Sequence, residues 1–279
     1  MDIDELLGAL SLQEDRTVEV LCRGLQYEVL RAGFSKVVIG LSGGLDSALS
    51  AYLARRSFGP ENLILVSMPY RSSRPDSLAH AQLVADRLGC ELRIHEISQQ
   101  IDAYFARDSR ADRIRRGNKM ARERMSILYD LSMAEKALVL GTSNKSELLL
   151  GYSTLFGDSA SAVNPLGDLY KTQVRQLARH LEIPRDILDK PPSADLWEGQ
   201  TDESDLGFSY EHVDVLLYHL VDRRQRRRQL LSLGFEPEFV DRVRTLVRAS
   251  QYKRKLPVII KISGRTVDKD FLYPRDWSG

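Results

Sequence analysis

The chain has 279 residues, of which 43% are hydrophobic and 28% are charged, ordinary proportions for a globular protein with a sizeable core. Forty basic and thirty-nine acidic residues leave a net charge of +1, so no global field favours nucleic acid or an anionic membrane as a partner. Cys22 and Cys90 form no Cys-x-x-Cys pair, which disfavours zinc, iron–sulfur and disulfide frameworks. The N-terminus has no signal pattern and no apolar run reaches membrane-spanning length, so we expect a cytoplasmic protein.

The N-terminal part of the chain alternates between helix-like and strand-like segments. A capping-box pattern from Ser11 to Glu14, with apolar residues at helical spacing after it, predicts a helix over residues 11–33. The strand-like runs that follow are Lys36–Leu41, Leu63–Met68, Glu91–Ile97 and Ala137–Leu140. The helical stretches between them are Asp46–Ser57, Pro75–Leu88 and about 111–135. This alternation predicts an α/β fold with a doubly wound parallel sheet, whose core spans about residues 36–170.

Beyond Leu150 the pattern changes to loops and helices. Residues 151–168 hold three glycines, four serines or threonines and two aspartates, which predicts a loop. A helix is expected at Thr172–Leu181, an extended segment from Pro191 to Gly207, and three helices within about 209–251. No internal repeat or low-complexity linker divides the chain. We therefore predict a single domain over residues 1–279, with a helical and loop-rich C-terminal part from about residue 171.

The most informative motif couples the first strand to a glycine turn and a helix. Its residues are Gly40, Leu41, Ser42, Gly43, Gly44, Leu45, Asp46 and Ser47. Glycines let several backbone N–H groups approach one anion, and the helix that follows adds the positive end of its dipole. Asp46 would repel phosphates unless a divalent cation lay between them, so the turn favours a nucleotide with Mg²⁺. A plain strand-to-helix connection, with Asp46 and Ser47 as caps, is the alternative.

This motif resembles the pyrophosphatase loop of the ATP pyrophosphatases. Their Rossmann-like, adenine nucleotide alpha hydrolase-like fold implies that the first and fourth strands are neighbours where the winding reverses. Ligands bind at such a reversal, outside the carboxyl ends of the strands. The turn after the first strand would then share a crevice with Gly141-Thr142-Ser143-Asn144 after the fourth.

Three further residues are candidates for the chemistry of this crevice. Glu147 stands six residues after Gly141 and could hold Mg²⁺ together with Asp46, or it could simply favour a helix N-terminus. Lys171 could neutralise a phosphate, although most lone lysines are only solvated. Arg122 lies in a basic helical stretch, where most arginines cover a surface or pair with neighbouring acids.

Read together, the segments resemble the NAD synthetase family from about the first strand to the C-terminus. The segments that carry the resemblance are Leu41–Ser47, Lys119–Met125, Gly141–Glu147, Gly157-Asp158, Leu169–Val174, Lys190–Trp197, Gly199–Glu203 and Leu206-Gly207. The resemblance implies a two-step reaction. ATP transfers AMP to the nicotinate carboxylate of deamido-NAD and releases pyrophosphate, and ammonia then displaces AMP to leave the amide of NAD.

The resemblance also implies roles for individual residues. The turn from Gly40 to Ser47 would bind the ATP phosphates, and Asp46 with Glu147 would hold Mg²⁺. The other residues implied to contact ATP are Met68, Thr142, Lys171 and Ser193. Those implied to contact deamido-NAD are Arg122, Asp158 and Lys253. The catalytic candidates are Ser42, Lys171 and Asp158, of which Asp158 would orient ammonia or take its proton.

Three positions depart from the pattern of many ammonia-dependent members. Leu155 replaces a lysine, Ala162 replaces an aspartate, and Tyr252 replaces the histidine of a His-Lys pair. All three belong to contacts with the pyridine dinucleotide, so amidation of another nicotinate compound, such as the mononucleotide, stays open. The version of the loop from Thr154 to Asp158 is similar to that of the glutamine-using branch, which favours a branch variant.

The family also implies a nitrogen source and an assembly. Only about 35 residues precede the first strand, too few for a glutaminase domain, so we expect free ammonia or ammonia from a separate glutaminase. Family members are usually homodimers whose interface contributes to the dinucleotide site. The N-terminal helix is a candidate for that interface, and ordinary core is the equal alternative from sequence alone.

Two other classes of function compete with this one. The basic run Arg223–Arg228 would suit an RNA-modifying relative, but the neutral chain and the lack of an RNA-binding module disfavour nucleic acid. A nucleotide-binding regulator would explain the turn but leave Glu147, Asp158 and Lys171 without a role.

Overall fold

A parallel sheet lies at the centre of the computed structural model, which describes residues 3–108, 110–193, 195–197, 199–254 and 259–266. Within the described residues its strands are β1 (Lys36–Gly40), β2 (Leu63–Ser67), β3 (Leu92–Ile94) and β4 (Ala137–Leu140). The strand order is β3-β2-β1-β4. Val38 of β1 pairs with Ile64 of β2 on one side and Val139 of β4 on the other. The predicted parallel α/β sheet and the adjacency of its first and fourth strands are confirmed.

The sheet is buried on both faces, which explains why its strands are continuous apolar runs. Val37 and Ile39 of β1 pack into the apolar cluster on one face, and Val38 between them packs into the cluster on the other. The helices that bound the sheet and the C-terminal part are α1 (Ile3–Leu7), α2 (Glu14–Arg31), α3 (Leu45–Phe58), α4 (Pro75–Leu88), α5 (Ser98–Phe105), α6 (Arg113–Glu135), α7 (Lys145–Leu150), α8 (Lys171–His180), α9 (Arg185–Leu188), α10 (Asp202–Leu206), α11 (Tyr210–Leu217), α12 (Arg227–Ser232), α13 (Pro237–Ala249) and α14 (Gln251–Arg254).

A separate apolar cluster joins the C-terminal helices to the rest. It contains Leu150 at the end of α7, Val213 and Leu217 of α11, and Val240 and Val243 of α13. A π-helical turn, Tyr218–Asp222, extends α11. This cluster brings α11 against α7 and α8, the two short helices that follow the sheet.

The structure corrects three local predictions. The capping box at Ser11 is wrong, because α2 begins at Glu14 with Gln13 as an N-cap that makes no side-chain bond. The strand predicted over Glu91–Ile97 is limited to Leu92–Ile94, and α5 begins at Ser98. The segment from Pro191 to Gly207 is not extended throughout, since it ends in α10, which the side chain of Thr201 caps.

No helix among the described residues is both long enough and apolar enough to cross a membrane.

Candidate active site

A cavity of about 520 Å³ opens at the carboxyl ends of β1, β2 and β4, where the winding of the sheet reverses. The turn after β1 and the turn after β4 both line it, as the sequence predicted. Other walls come from α6, the loop 151–158, the segment after Lys190, and Lys253 of α14.

The turn after β1 lies so close to the start of α4 that position 43 has no room for a side chain. Gly43 has φ +75, and a Cβ there would overlap the carbonyl oxygen of Ser77 at the start of α4. The hydroxyl of Ser47 accepts from the N–H of Ser42 at 3.2 Å and donates to the carbonyl oxygen of Gly44 at 3.0 Å. Gly44 is the N-cap of α3 and has no side chain to cap it, so within the described part of the chain no side-chain cap bond forms at this end. The plain capping interpretation of Asp46 is therefore not supported.

The two turns meet through an ion cluster. Lys171, only 3% exposed, forms an ion pair with Asp46, and its Nζ lies 3.7 Å from Oε1 of Glu147. Asn144 donates from Nδ2 to Oδ1 of Asp46 at 2.9 Å, and its Oδ1 accepts from the N–H of Glu147 at 3.0 Å. Residues from α3, α7 and α8 thus converge on one point of the cavity wall.

Electrostatics in this cluster are strongly coupled. Burial raises the pKa of Glu147 well above its ordinary value, and the charge of Asp46 raises it further, against the opposing effect of Lys171. Burial alone would lower the pKa of Lys171, but the carboxylates of Asp46, Glu147 and Asp202 outweigh it and raise that pKa. Lys171 therefore stays charged and compensates the acids around it.

The donor set fits Mg²⁺ in one specific way. Asp46 and Glu147 offer hard oxygen ligands, and a buried oxygen, Oδ1 of Asp202, has no hydrogen-bond partner among the described residues. Across the whole described part of the chain, no group of three or more His, Cys, Asp or Glu side chains is arranged to hold a metal ion. Mg²⁺ here would consequently depend on phosphate oxygens and water for most of its six ligands.

Asp158 and Lys253 also line the cavity, outside the cluster of Asp46, Lys171 and Glu147. Burial raises the pKa of Asp158, although its Oδ1 accepts from the N–H of Thr154 at 2.8 Å. Lys253 donates from Nζ to the carbonyl oxygens of Gly151 at 2.8 Å and Ser153 at 2.7 Å. Burial lowers the pKa of Lys253, against the attraction of Asp158.

The remaining predicted residues divide into two groups. Met68, Thr142 and Ser193 line the cavity. Arg122 does not appear among the described lining residues; it is exposed on α6 and donates from Nε to the carbonyl oxygen of Leu155 at 3.1 Å.

The structure adds residues that the sequence analysis did not assign. Arg124 lines the cavity and donates from Nε to the carbonyl oxygen of Met68 at 2.9 Å, and burial lowers its pKa. Asn144 and Asp202 join the ion cluster. Both lie in segments that carried the family resemblance, which is the only signal that pointed to them. Lys190 also reaches the wall, where its Nζ donates to the hydroxyl of Ser77 at 3.1 Å.

The positions that depart from the family pattern lie off the wall. Leu155, Ala162 and Tyr252 are not among the described residues that line the cavity. The basic run at Arg223–Arg228 is also separate from it, and within the run Arg227 pairs with Asp241 at 2.7 Å.

Comparison with known proteins gives consistent results. The profile of the family described as NAD synthase matches residues 17–257. The NH(3)-dependent NAD(+) synthetase of Trichlorobacter lovleyi is 55% identical over 271 residues, 97% of this chain and 99% of that protein. A solved NH3-dependent NAD synthetase from Campylobacter jejuni superimposes with a TM-score of 0.77 at 34% identity, over 90% of this chain and 100% of that one. A solved NMN synthetase from Francisella tularensis gives 0.80 at 31%, again over 90% and 100%.

Proposed function

This chain belongs to the NAD synthase family, and from that premise we propose that it amidates deamido-NAD to NAD, using ATP and free ammonia and releasing AMP and pyrophosphate. The observation that carries the proposal is the cluster of Asp46, Lys171 and Glu147 beside the glycine turn. The cluster combines a cation and two carboxylates, and the turn beside it offers backbone N–H groups. Binding and cleaving a nucleoside triphosphate requires these groups.

The first step activates the acceptor. A carboxylate is a poor electrophile, so an oxygen of the nicotinate carboxylate attacks the α-phosphorus of ATP and pyrophosphate leaves. The turn from Gly40 to Ser47 binds the phosphates through backbone N–H groups, and Ser42 lies within that turn. Lys171 supplies positive charge against the phosphate oxygens. Mg²⁺, held by Asp46 and Glu147, would neutralise charge on the leaving pyrophosphate.

The second step forms the amide. Ammonia attacks the carbonyl carbon of the mixed anhydride, and AMP leaves with the electron pair of the broken C–O bond. The nitrogen must lose a proton as this happens. Asp158 is the base we assign, because its carboxylate lies on the wall and its buried position raises its pKa, which makes it a stronger proton acceptor.

The acceptor is the part of the proposal that depends on residues away from the phosphates. We assign Lys253 and Asp158 to the nicotinate end of deamido-NAD, since both line the cavity but neither is paired within the cluster of Asp46, Lys171 and Glu147. Arg122 would contact the dinucleotide from outside the wall, a role that suits a site completed by a second subunit. We therefore also propose a homodimer.

The setting of the reaction follows from the same premise. We propose a single NAD synthetase domain that works in the cytoplasm, with ammonia taken free or from a separate glutaminase. No nucleic-acid or membrane partner is needed for this reaction.

The proposal is tested by incubating the purified protein with ATP, Mg²⁺, ammonium and deamido-NAD and measuring NAD and AMP together. Equal yields of the two products that depend on deamido-NAD would support it. AMP without NAD, formed only when another carboxylate is supplied, would keep the ATP chemistry and refute the acceptor.

Nicotinate mononucleotide is the acceptor to compare first. The Francisella relative is described as an NMN synthetase, and Leu155, Ala162 and Tyr252 depart from the dinucleotide pattern. The curated relatives at about 55% identity are NAD synthetases, which favours the dinucleotide. A higher kcat/KM for the mononucleotide than for deamido-NAD would reverse this preference.

A further inference from the structure

Asp214 of α11 is a buried carboxylate that lies outside the cavity wall. It is fully inaccessible to solvent, and it is not among the described lining residues. The hydroxyl of Ser146 donates to its Oδ1, and the N–H of Thr172 donates to its Oδ2 at 2.8 Å. An ionised carboxylate is costly to bury unless its oxygens accept hydrogen bonds. Both oxygens of Asp214 do so, and the groups that donate to them are therefore informative.

The bonds of Asp214 complete the N-terminus of α8. Tyr170 is the N-cap of this helix and makes no side-chain cap bond. The N–H of Lys171 donates instead to the hydroxyl of Ser146 at 3.0 Å, and the next N–H, from Thr172, donates to Asp214. A carboxylate from another helix therefore acts as the cap, where the helix dipole favours negative charge.

The same bonds join α8 to α7. Ser146 is bonded to both Asp214 and the backbone of Lys171, and it directly precedes Glu147. Thr172 directly follows Lys171. Glu147 and Lys171 of the ion cluster are therefore each adjacent in the chain to a residue that donates a hydrogen bond to Asp214.

We propose that Asp214 is a positioning residue for the magnesium–ATP end of the site, which fixes the spacing between Glu147 and Lys171 by joining Ser146 to Thr172. The inference rests on the proposed function for the role of those two residues. A displacement near 1 Å in such groups costs up to about 100-fold in rate, so a small shift of α7 against α8 would be visible in kinetics.

Asp222 provides a matched control, because it joins the same two helices one residue earlier. Lys145, the first residue of α7, lies 2.9 Å from Oδ1 of Asp222, and the hydroxyl of Tyr170 donates to Oδ2 at 3.0 Å. Asp222 is partly solvated, and none of these three residues lines the cavity. An Asp222→Asn variant therefore weakens a bridge between the same two helices that, unlike the bridge of Asp214, does not include the N–H of Lys171.

The test compares Asp214→Asn with Asp222→Asn in the full-length protein, at a temperature where circular dichroism shows both to be folded. Magnesium–ATP binding is measured by calorimetry without acceptor, followed by kinetics with Mg²⁺ varied. We expect Asp214→Asn to weaken magnesium–ATP binding by about 10-fold and lower kcat by about 10–100-fold, with the KM for ammonium nearly unchanged. Asp222→Asn should stay within about twofold of the parent in all of these.

Equal losses in the two variants would overturn the proposal, since they would reflect general loosening of the helix pair. A loss of activity in Asp214→Asn without any change in magnesium–ATP binding would also overturn it. The calorimetric measurement needs no acceptor, so it tests Asp214 even where the proposed acceptor fails.

Ser146→Ala covers the case in which Asp214→Asn does not fold. It removes the shared hydroxyl but leaves the bond from Thr172 to Asp214, so we expect a weaker effect in the same direction. Where both variants fold, the decrease in log kcat of the double variant should be smaller than the sum of the decreases of the two single variants, because the residues belong to one hydrogen-bond network. Strict additivity, or normal magnesium–ATP binding in Ser146→Ala, would contradict the proposal.

Discussion

The proposed phosphate-binding and acceptor-binding ends of the site are built differently. At the phosphate end, Lys171 is almost fully buried between Asp46 and Glu147, and each of these residues lies in the first turn of its helix. At the acceptor end, Asp158 belongs to a loop, Lys253 to the four-residue helix α14, and Arg122 to an exposed face of α6.

We expect the rigid phosphate end to determine the ATP chemistry and the loop-built acceptor end to determine the specificity for the carboxylate. Helix starts at the edge of a sheet hold charges in fixed positions, and buried pairs resist displacement. Loops tolerate substitution better and carry the variable part of recognition. We therefore expect changes at the phosphate end to abolish ATP use, and changes at the acceptor end to alter which carboxylate is used and how tightly it binds.

The largest effect should come from Asp46→Asn. The change preserves shape but removes the charge that faces both Lys171 and the proposed Mg²⁺. We expect kcat/KM to fall on the order of 10³-fold with the fold retained. Pyrophosphate release and far-ultraviolet circular dichroism measure the two parts, and an active, folded variant would remove Asp46 from the metal role.

Asp158→Asn should affect the second step more than the first. The amide cannot accept a proton, so we expect NAD formation to fall about 100-fold, while pyrophosphate release falls less. The ratio of pyrophosphate to NAD, followed in one reaction, should therefore rise. An unchanged ratio would place Asp158 outside the ammonia step.

Lys171→Met tests the compensation of charge in the cluster. Removing one partner of a buried ion pair leaves uncompensated acids, and we expect a loss of about 3 kcal/mol in the free energy of unfolding without Mg²⁺. Thermal melting should show Mg²⁺ raising the midpoint more in this variant than in the parent, because the ion replaces the lost positive charge.

Lys145→Met is the control for that measurement. Lys145 pairs with Asp168 and Asp222, outside the cavity wall. Its variant should show no additional stabilisation by Mg²⁺, and an equal response in both variants would mean that Mg²⁺ acts elsewhere.

The smallest effect is expected at Leu155. Its side chain lies off the described wall, and its carbonyl oxygen accepts from Arg122. Leu155→Lys restores the residue of many ammonia-dependent relatives, and we expect the KM for deamido-NAD to change by less than about tenfold, with the KM for ATP unchanged. A large change in the KM for ATP would break the separation between the two ends.

Local sequence patterns predicted most of the elements but not all of their ends. The helix predicted over Pro75–Leu88 is observed with those ends, and Gly89, with φ +66, is its C-cap, since a left-handed residue favours glycine there. Ser11 and Glu14 have the residue types and spacing of a capping box, yet α2 begins at Glu14, three residues after Ser11. The competing 3₁₀ turn at Gly8–Leu10, whose Leu10 packs into the C-terminal cluster, depends on contacts that no local pattern contains.

The sequence by itself determined the glycine turn after β1, the alternation of strands and helices, and some of the charged residues on the cavity wall, among them Asp46, Glu147 and Lys171, because spacing and glycine conformations are local properties. Only the tertiary structure decided that Arg124 reaches the wall where Arg122 does not, that Asn144 bonds to Asp46, and that Asp214 caps a helix that begins more than forty positions earlier in the chain. These contacts arise when segments that are distant in the sequence pack together. An aspartate in an apolar helix gives no sign in sequence of which N–H group it will accept from, since the partner is chosen by packing.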